Sequence, residues 1–321
     1  EQEMLKEAEL NWTVKKEQLF FGEGLNVPGA YALVRSKDQR ILSIVGENYT
    51  PVQNKEAFSF FKKFVEAGDA KMETAGSLKN GRWVWGLANL QKGFKLADED
   101  EISGYLLVSS PHILGQAMQI QFTPIRVVCW NTLSLALRSG KKSYRLPHVR
   151  EFNETVKQEA EVALGIARHQ MTEFEEVARG LSNTKYALAD VEEFFIDVFR
   201  ARKEDDTIKE SRLVTAAKAA LEFSPGAKMD SANGTWWGAL NAVTYVVDHQ
   251  MGKSPDSRLA NAWFGWTANI KRNAMSKAME YADLQTSVIL PMTQELQEVS
   301  SEDTDVVPQK KIASKKRSGK K

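Results

Sequence analysis

Two tryptophans, Trp83 and Trp85, alternate along one apolar run and so project from the same face of a strand. Paired aromatics on an open sheet face offer a stacking platform to unpaired bases, worth about 1–3 kcal/mol per base. On a half-buried sheet the same pair is core. The neighbouring charges bear on the choice. Residues 102–150 contain no Asp or Glu, yet hold Arg126, Arg138, Lys141, Lys142, Arg145 and Arg150, with His112 and His148. Cations without local carboxylates are the electrostatic footprint of a phosphate-binding face. Core strands also exclude carboxylates, so the window reads either way.

Arg126 is the one charge in an otherwise apolar run, where it must find a carboxylate, a carbonyl or an external anion. Asn131 is a candidate N-cap for a short helix over 131–138, and its free N–H groups, beside Thr132, could hold an anion. Cys129 in this setting reads as an inert packing residue. In the helix expected at 235–251, Asn241, Thr244, Tyr245 and Asp248 share a stripe apart from the apolar one, with His249 beside it. That stripe suits a polar site, a clamp to another element, or a solvated face.

Signatures of common enzymes are missing. The chain has no Gly-x-x-x-x-Gly-Lys loop, no Gly-x-Gly-x-x-Gly, no His-Glu-x-x-His and no Gly-x-Ser-x-Gly. One cysteine and four scattered histidines argue against a structural zinc site. The expectation is therefore no metal and no cofactor, with catalysis undecided and a binding function favoured.

The elements that must position these residues follow from periodicity. Short apolar runs at 30–35 and 41–45 flank a polar turn, and runs at 72–78 and 82–90 flank Lys79-Asn80-Gly81, a strong hairpin signal. Two further strands are expected at 102–109 and 117–128. Phe58, Phe61, Phe64 and Val65 recur at helical spacing and place one helix at 55–67. Beyond Cys129 the pattern turns helical, with helices expected at 151–180, 191–202, 207–223, 235–251 and 258–282. The fold class is α+β: a mainly antiparallel sheet with an inserted helix, then a helical half, then a basic tail. The divisions are an N-terminal segment at 1–29, a sheet-rich region at 30–150, a helical region packed on it at 151–285, and a flexible tail at 286–321.

The 321 residues are 42% hydrophobic and 26% charged, which fits a globular protein and excludes collagen-like or wholly disordered chains. A single cysteine, no apolar run near the roughly 20 residues that span a bilayer, and no secretory start point to the cytoplasm and away from membranes. The net charge of +1 hides segregation: residues 306–321 hold seven basic residues and no acid, leaving −6 on the rest. Such asymmetry fits a polyanionic partner or a solubilising tail.

Four ordered motifs resemble one family. They are the run Tyr49-Thr50-Pro51-Val52-Gln53-Asn54-Lys55-Glu56-Ala57-Phe58; Glu73-Thr74-Ala75-Gly76 followed by Arg82-Trp83-Val84-Trp85; Phe122-Thr123-Pro124 through Leu133; and Trp237-Gly238 through Asn241-Ala242-Val243-Thr244 to Asp248-His249. Together they resemble the phage/plasmid-like family catalogued as a domain of unknown function, number 932, over roughly residues 10–285. The resemblance implies a bacterial mobile-element protein with no settled activity, and makes Arg126, Asn131, Thr132, Asn241, Asp248 and His249 the matching site candidates. Where many relatives have a His-Asp-Gly-Ser-like turn this chain reads His112-Ile113-Leu114-Gly115, so no metal or phosphate duty carries over to an Asp there. The resulting expectation is a cytoplasmic protein of a bacterial host that binds DNA, single-stranded in preference to double-stranded, in replication or recombination. Its contacts would be Arg126, Arg138, Lys141, Lys142, Arg145, Arg150, Trp83 and Trp85, and an oligomer is compatible. A host protein is the alternative partner, in counter-defence.

Overall fold

Lys79, Asn80 and Gly81 all take positive φ, at 52°, 60° and 86°, a left-handed run that Asn and Gly tolerate best. It reverses the chain between β4 (Lys71–Leu78) and β5 (Trp83–Leu96), which pair antiparallel with Leu78 opposite Trp83. β6 (Asp100–Pro111) and β7 (Met118–Arg126) continue the meander. The computed structural model describes residues 2–59, 70–97, 99–129, 131–132, 135–136, 138–139, 142–143, 145–146, 154–201 and 211–284. Glu1–Gln285 form one compact unit; the tail expected at 286–321 lies outside the described residues.

Ahead of the meander, α1 (Gln2–Glu7) leads into a separate three-stranded sheet, β1 (Val14–Phe21), β2 (Leu25–Arg35) and β3 (Ile41–Gly46), in that order. The β2–β3 hairpin was legible in sequence. β1 was not, because Gly22, Gly24, Pro28 and Gly29 interrupt the alternation around the turn that joins it to β2. The inserted helix, α2, is described over 54–59.

The later half is helical. α3 (Glu154–Asn183), α4 (Leu188–Val198), α5 (Arg212–Phe223) and α6 (Trp236–Tyr245) are followed by a π-helical turn (Val246–Gln250), α7 (Pro255–Phe264) and α8 (Trp266–Tyr281). The single helix expected at 258–282 is two, divided at Gly265. Sheets followed by packed helices make the chain α+β. Among the described residues no helix is long and apolar enough to cross a membrane.

Both faces of the main sheet are covered. On one, Phe58 of α2 lies against Gly86 and Met171 of α3 lies over Gly104. On the other, Trp83, Trp85, Leu87, Tyr105, Leu107 and Ile125 are buried with Ala260 and Trp263 of α7. Trp83 stacks on Phe264 at 5.0 Å between centroids, and Trp85 meets Trp263 edge-on at 4.9 Å. The pair expected as an open stacking platform is therefore core in this fold: α7 supplies the rings it needs. The contact is energetically poor, since the indole N–H groups of Trp83, Trp85 and Trp263 are all buried without an acceptor. Each such donor costs about 1–3 kcal/mol, a cost set against what burying Trp263 and part of Phe264 contributes.

Burial also sets the alkaline limit of the fold. It pushes the phenols of Tyr105 and Tyr281 up to about 12, helped respectively by Glu73 and Asp197, and raises those of Tyr49 and Tyr186. An unfolded tyrosine ionises near about 10. Between these values the native state holds protons that the unfolded chain releases, so stability complete below pH 10 falls as pH rises toward 12. The phenolate absorbance of these four of the seven tyrosines should appear together with loss of circular dichroism. Ionisation of all seven near 10 in an intact fold would contradict this.

Candidate functional site: a buried polar seam and a cationic strand edge

Thr235 caps α6 by accepting the Gly238 N–H at 3.1 Å. From there Trp237, Asn241, Thr244 and Asp248 recur at intervals of four, three and four, the spacing of one helical face. That face is the polar stripe of the sequence, and it is not solvated. Trp237 Nε1 donates to Asp100 Oδ2 at 2.9 Å. Asn131 Nδ2 donates to the Asn241 carbonyl at 3.0 Å and lies 3.3 Å from its Oδ1. Asp248 Oδ2 accepts from both Thr132 N–H, at 2.7 Å, and Thr132 Oγ1, at 3.1 Å. The π-helical turn carries Asp248; such turns are rare and frequent at functional sites.

Lys271 of α8 closes the cluster. Its side chain is 1% exposed, and Nζ donates to Asp248 Oδ1 at 2.7 Å and to Thr132 Oγ1 at 2.8 Å. Desolvation lowers its pKa, opposed by the charge and hydrogen bond of Asp248. Sequence reasoning missed this residue. The available signal was a lone cation in the apolar row of Ala268, Lys271, Ala274, Met275 and Ala278.

Arg126 has found its carboxylate within the sheet. Its Nε donates to Asp100 Oδ1 at 2.7 Å, with the two side chains 2% and 1% exposed. Nη2 donates to the Gly226 carbonyl at 2.9 Å, and Ser231 Oγ donates to Asp100 Oδ2 at 2.6 Å. Arg126 is thus removed from the expected phosphate contacts. Asp100 was missed because it lies two residues before the acid-free window.

The Thr132 hydroxyl donates to Asp248 and accepts from Lys271, which also donates to Asp248, so the three side chains lock one another in place. The adjoining cavity, lined by Arg126, Asn131, Thr132, Trp237, Asn241 and Thr244 among others, has about 20 Å³, room for one water. His249 Nε2 faces the Cys129 carbonyl at 2.9 Å and therefore carries the proton; burial raises the Cys129 thiol pKa. Among the described residues no group of three or more His, Cys, Asp or Glu is placed to hold a metal ion.

The expected helix at 131–138 is instead a strand edge. Asn131–Thr132 (β8) and Leu135–Ala136 (β9) pair with β7 in one register, Thr132 opposite Ile125 and Ala136 opposite Gln121. The spacing of Leu133, Ala136 and Leu137 mimics a helix, but Asp248 takes the Thr132 N–H and the turn at 127–129 folds the chain back. The chain then leaves β7 as a hairpin, Arg138–Ser139 (β10) against Lys142–Ser143 (β11), and rejoins it at Arg145–Leu146 (β12), with Arg145 opposite Gln119. Arg138, Lys142 and Arg145 thus occupy one hairpin and its return strand, and Lys141 and Arg150 lie outside the described residues. The structure brings Asn131, Thr132, Asn241, Asp248 and His249 together; it separates them from Trp83 and Trp85.

The family described as Domain of unknown function (DUF932) matches residues 41–276. That span takes in every residue of the seam. No curated protein and no solved structure matches the chain.

Proposed function

Because the chain belongs to the DUF932 family, whose description carries no activity, we propose from its own residues that it is a nucleic-acid-binding protein of a phage or plasmid. It would act in the bacterial cytoplasm in replication or recombination, holding or annealing single strands. The observation that supports this is the cationic excursion of residues 138–150. In sequence that stretch holds five cations and no carboxylate, and Arg138, Lys142 and Arg145 lie on a hairpin and return strand flanked by pairing to β7. The seam fixes where that excursion begins, through Asp248, Lys271 and Asn241 on β8. A run of cations without local carboxylates in sequence, rooted on β7, suits a phosphate backbone.

With Arg126 neutralised, about five cations remain, so log K for single-stranded DNA should fall against log salt with a slope of about −3.5. Replacing Arg138, Lys142 and Arg145 together by alanine should make the slope shallower by about 2. Fluorescence anisotropy at several salt concentrations measures both; a flat salt response in the wild type would remove the proposal.

One observation favours a second reading. Phe20, Phe21 and Leu25 at the tip of the β1–β2 hairpin are 59%, 73% and 68% exposed, an apolar patch suited to a protein partner. Retention of a host protein after nuclease treatment, lost in Phe21→Ser, would move the weight to that reading.

A further inference from the structure

We infer that α7 is a hinged cover, and that the sheet surface beneath it, Trp83 and Trp85, is a stacking site for unpaired nucleobases that opens when the helix swings away. The inference rests on the nucleic-acid reading above and assigns it aromatic contacts. In the closed state Nε1 of Trp83, Trp85 and Trp263 are all buried and unpartnered. Opening would give these donors access to water or to a ligand's acceptors, so the closed contact leaves buried donors unsatisfied.

The cover is a self-contained piece. Ser254 Oγ accepts the Ser257 N–H at 3.2 Å, Ser257 Oγ accepts the Ser254 N–H at 3.0 Å, and Pro255 opens the helix. Its first turn is thus capped by its own residues and survives detachment. A glycine stands on each side: Gly252, with φ +118°, lies just before the cap, and Gly265 separates α7 from α8. On this inference the capped helix swings as a unit about these two points. A cation for the accompanying phosphates is already in place on the β4–β5 hairpin. Lys79 Nζ lies 5.1 Å from the centre of the Trp83 ring. Stacked bases with a flanking cationic track is how sequence-tolerant single-strand binding works.

Oligothymidylate binding to the full chain tests this with two variants of opposite expected sign. Trp263→Ala removes the anchor of the cover and should tighten binding about tenfold, whereas Trp83→Leu removes a stacking ring and should weaken it about tenfold. Two ordinary core positions would instead lose affinity together. Hydrogen exchange on the wild type decides if either variant fails to fold: the amides of α7 should exchange faster than those of α8, and faster still once the oligomer is bound. Salt-dependent binding that leaves α7 exchange unchanged, or variants that shift in the same direction, would overturn the cover and spare the nucleic-acid reading. No salt-dependent binding at all would overturn both.

Discussion

Asp100→Ala is expected to lower the unfolding free energy by about 3–5 kcal/mol, the usual cost of removing one partner of a buried ion pair. The carboxylate serves three groups at once: it holds Arg126 Nε, whose guanidinium also reaches Gly226, and accepts from Ser231 Oγ and Trp237 Nε1. Without it a guanidinium 2% exposed is left in the core with one carbonyl acceptor and a Met229 sulfur contact. Ser231→Ala removes a single neutral donor and should cost only about 1–2 kcal/mol, which makes it the matched control. The loss should appear as a lower urea midpoint at unchanged slope, the mark of a stability change without a change in the unfolded state. Against a total of about 5–15 kcal/mol for an ordinary protein, the effect is large. A loss no greater than that of Ser231→Ala would mean that Arg126 has another partner when Asp100 is gone.

Gly238→Ala should be comparably damaging, and its sign is contrary to helix propensity. In a free helix the change stabilises by about 1 kcal/mol. Here the added Cβ would stand 1.9 Å from the Ala232 carbonyl oxygen and 2.9 Å from its carbon. That neighbour is backbone in the tight segment that delivers Thr235 to its capping position, so it has little room to give. Overpacking costs about 1–3 kcal/mol where a side chain can shift, and occasionally more; with main chain on the other side about 3 kcal/mol or more is expected. Displacing α6 also moves Trp237 and Asn241 off their acceptors, so the variant should lose stability and hydrogen-exchange protection across the β8 edge together. A thermal midpoint equal to that of the wild type would refute the clash.

What was legible in the sequence was local. The turn at 79–81 announces itself because Asn and Gly accept positive φ, and the strands beside it are bounded by that turn. The polar stripe of Asn241, Thr244 and Asp248 is likewise visible as one face of one helix. Its partners are not, because Asn131 and Thr132 lie 110 and 116 residues away in sequence. The same distance explains the error at 131–138. Leucine and alanine at helical spacing fit a strand edge equally well, and the decision belongs to Asp248, which no window around Asn131 contains. Lone charges were the best guide to the core. Arg126 is one such charge, and its carboxylate is Asp100 at the start of β6. Lys271 is the same kind of signal.

One face of the α6 and π-helical segment draws hydrogen bonds from the beginning of β6 and from β8. A gene cut near residue 150 would therefore not yield two well-behaved fragments. The later piece would carry Asp248 and Lys271 with no threonine between them and an indole with no acceptor, and the earlier piece would carry a bare arginine–aspartate pair. Neither product would be a reliable surrogate for the intact chain in binding or crystallisation work.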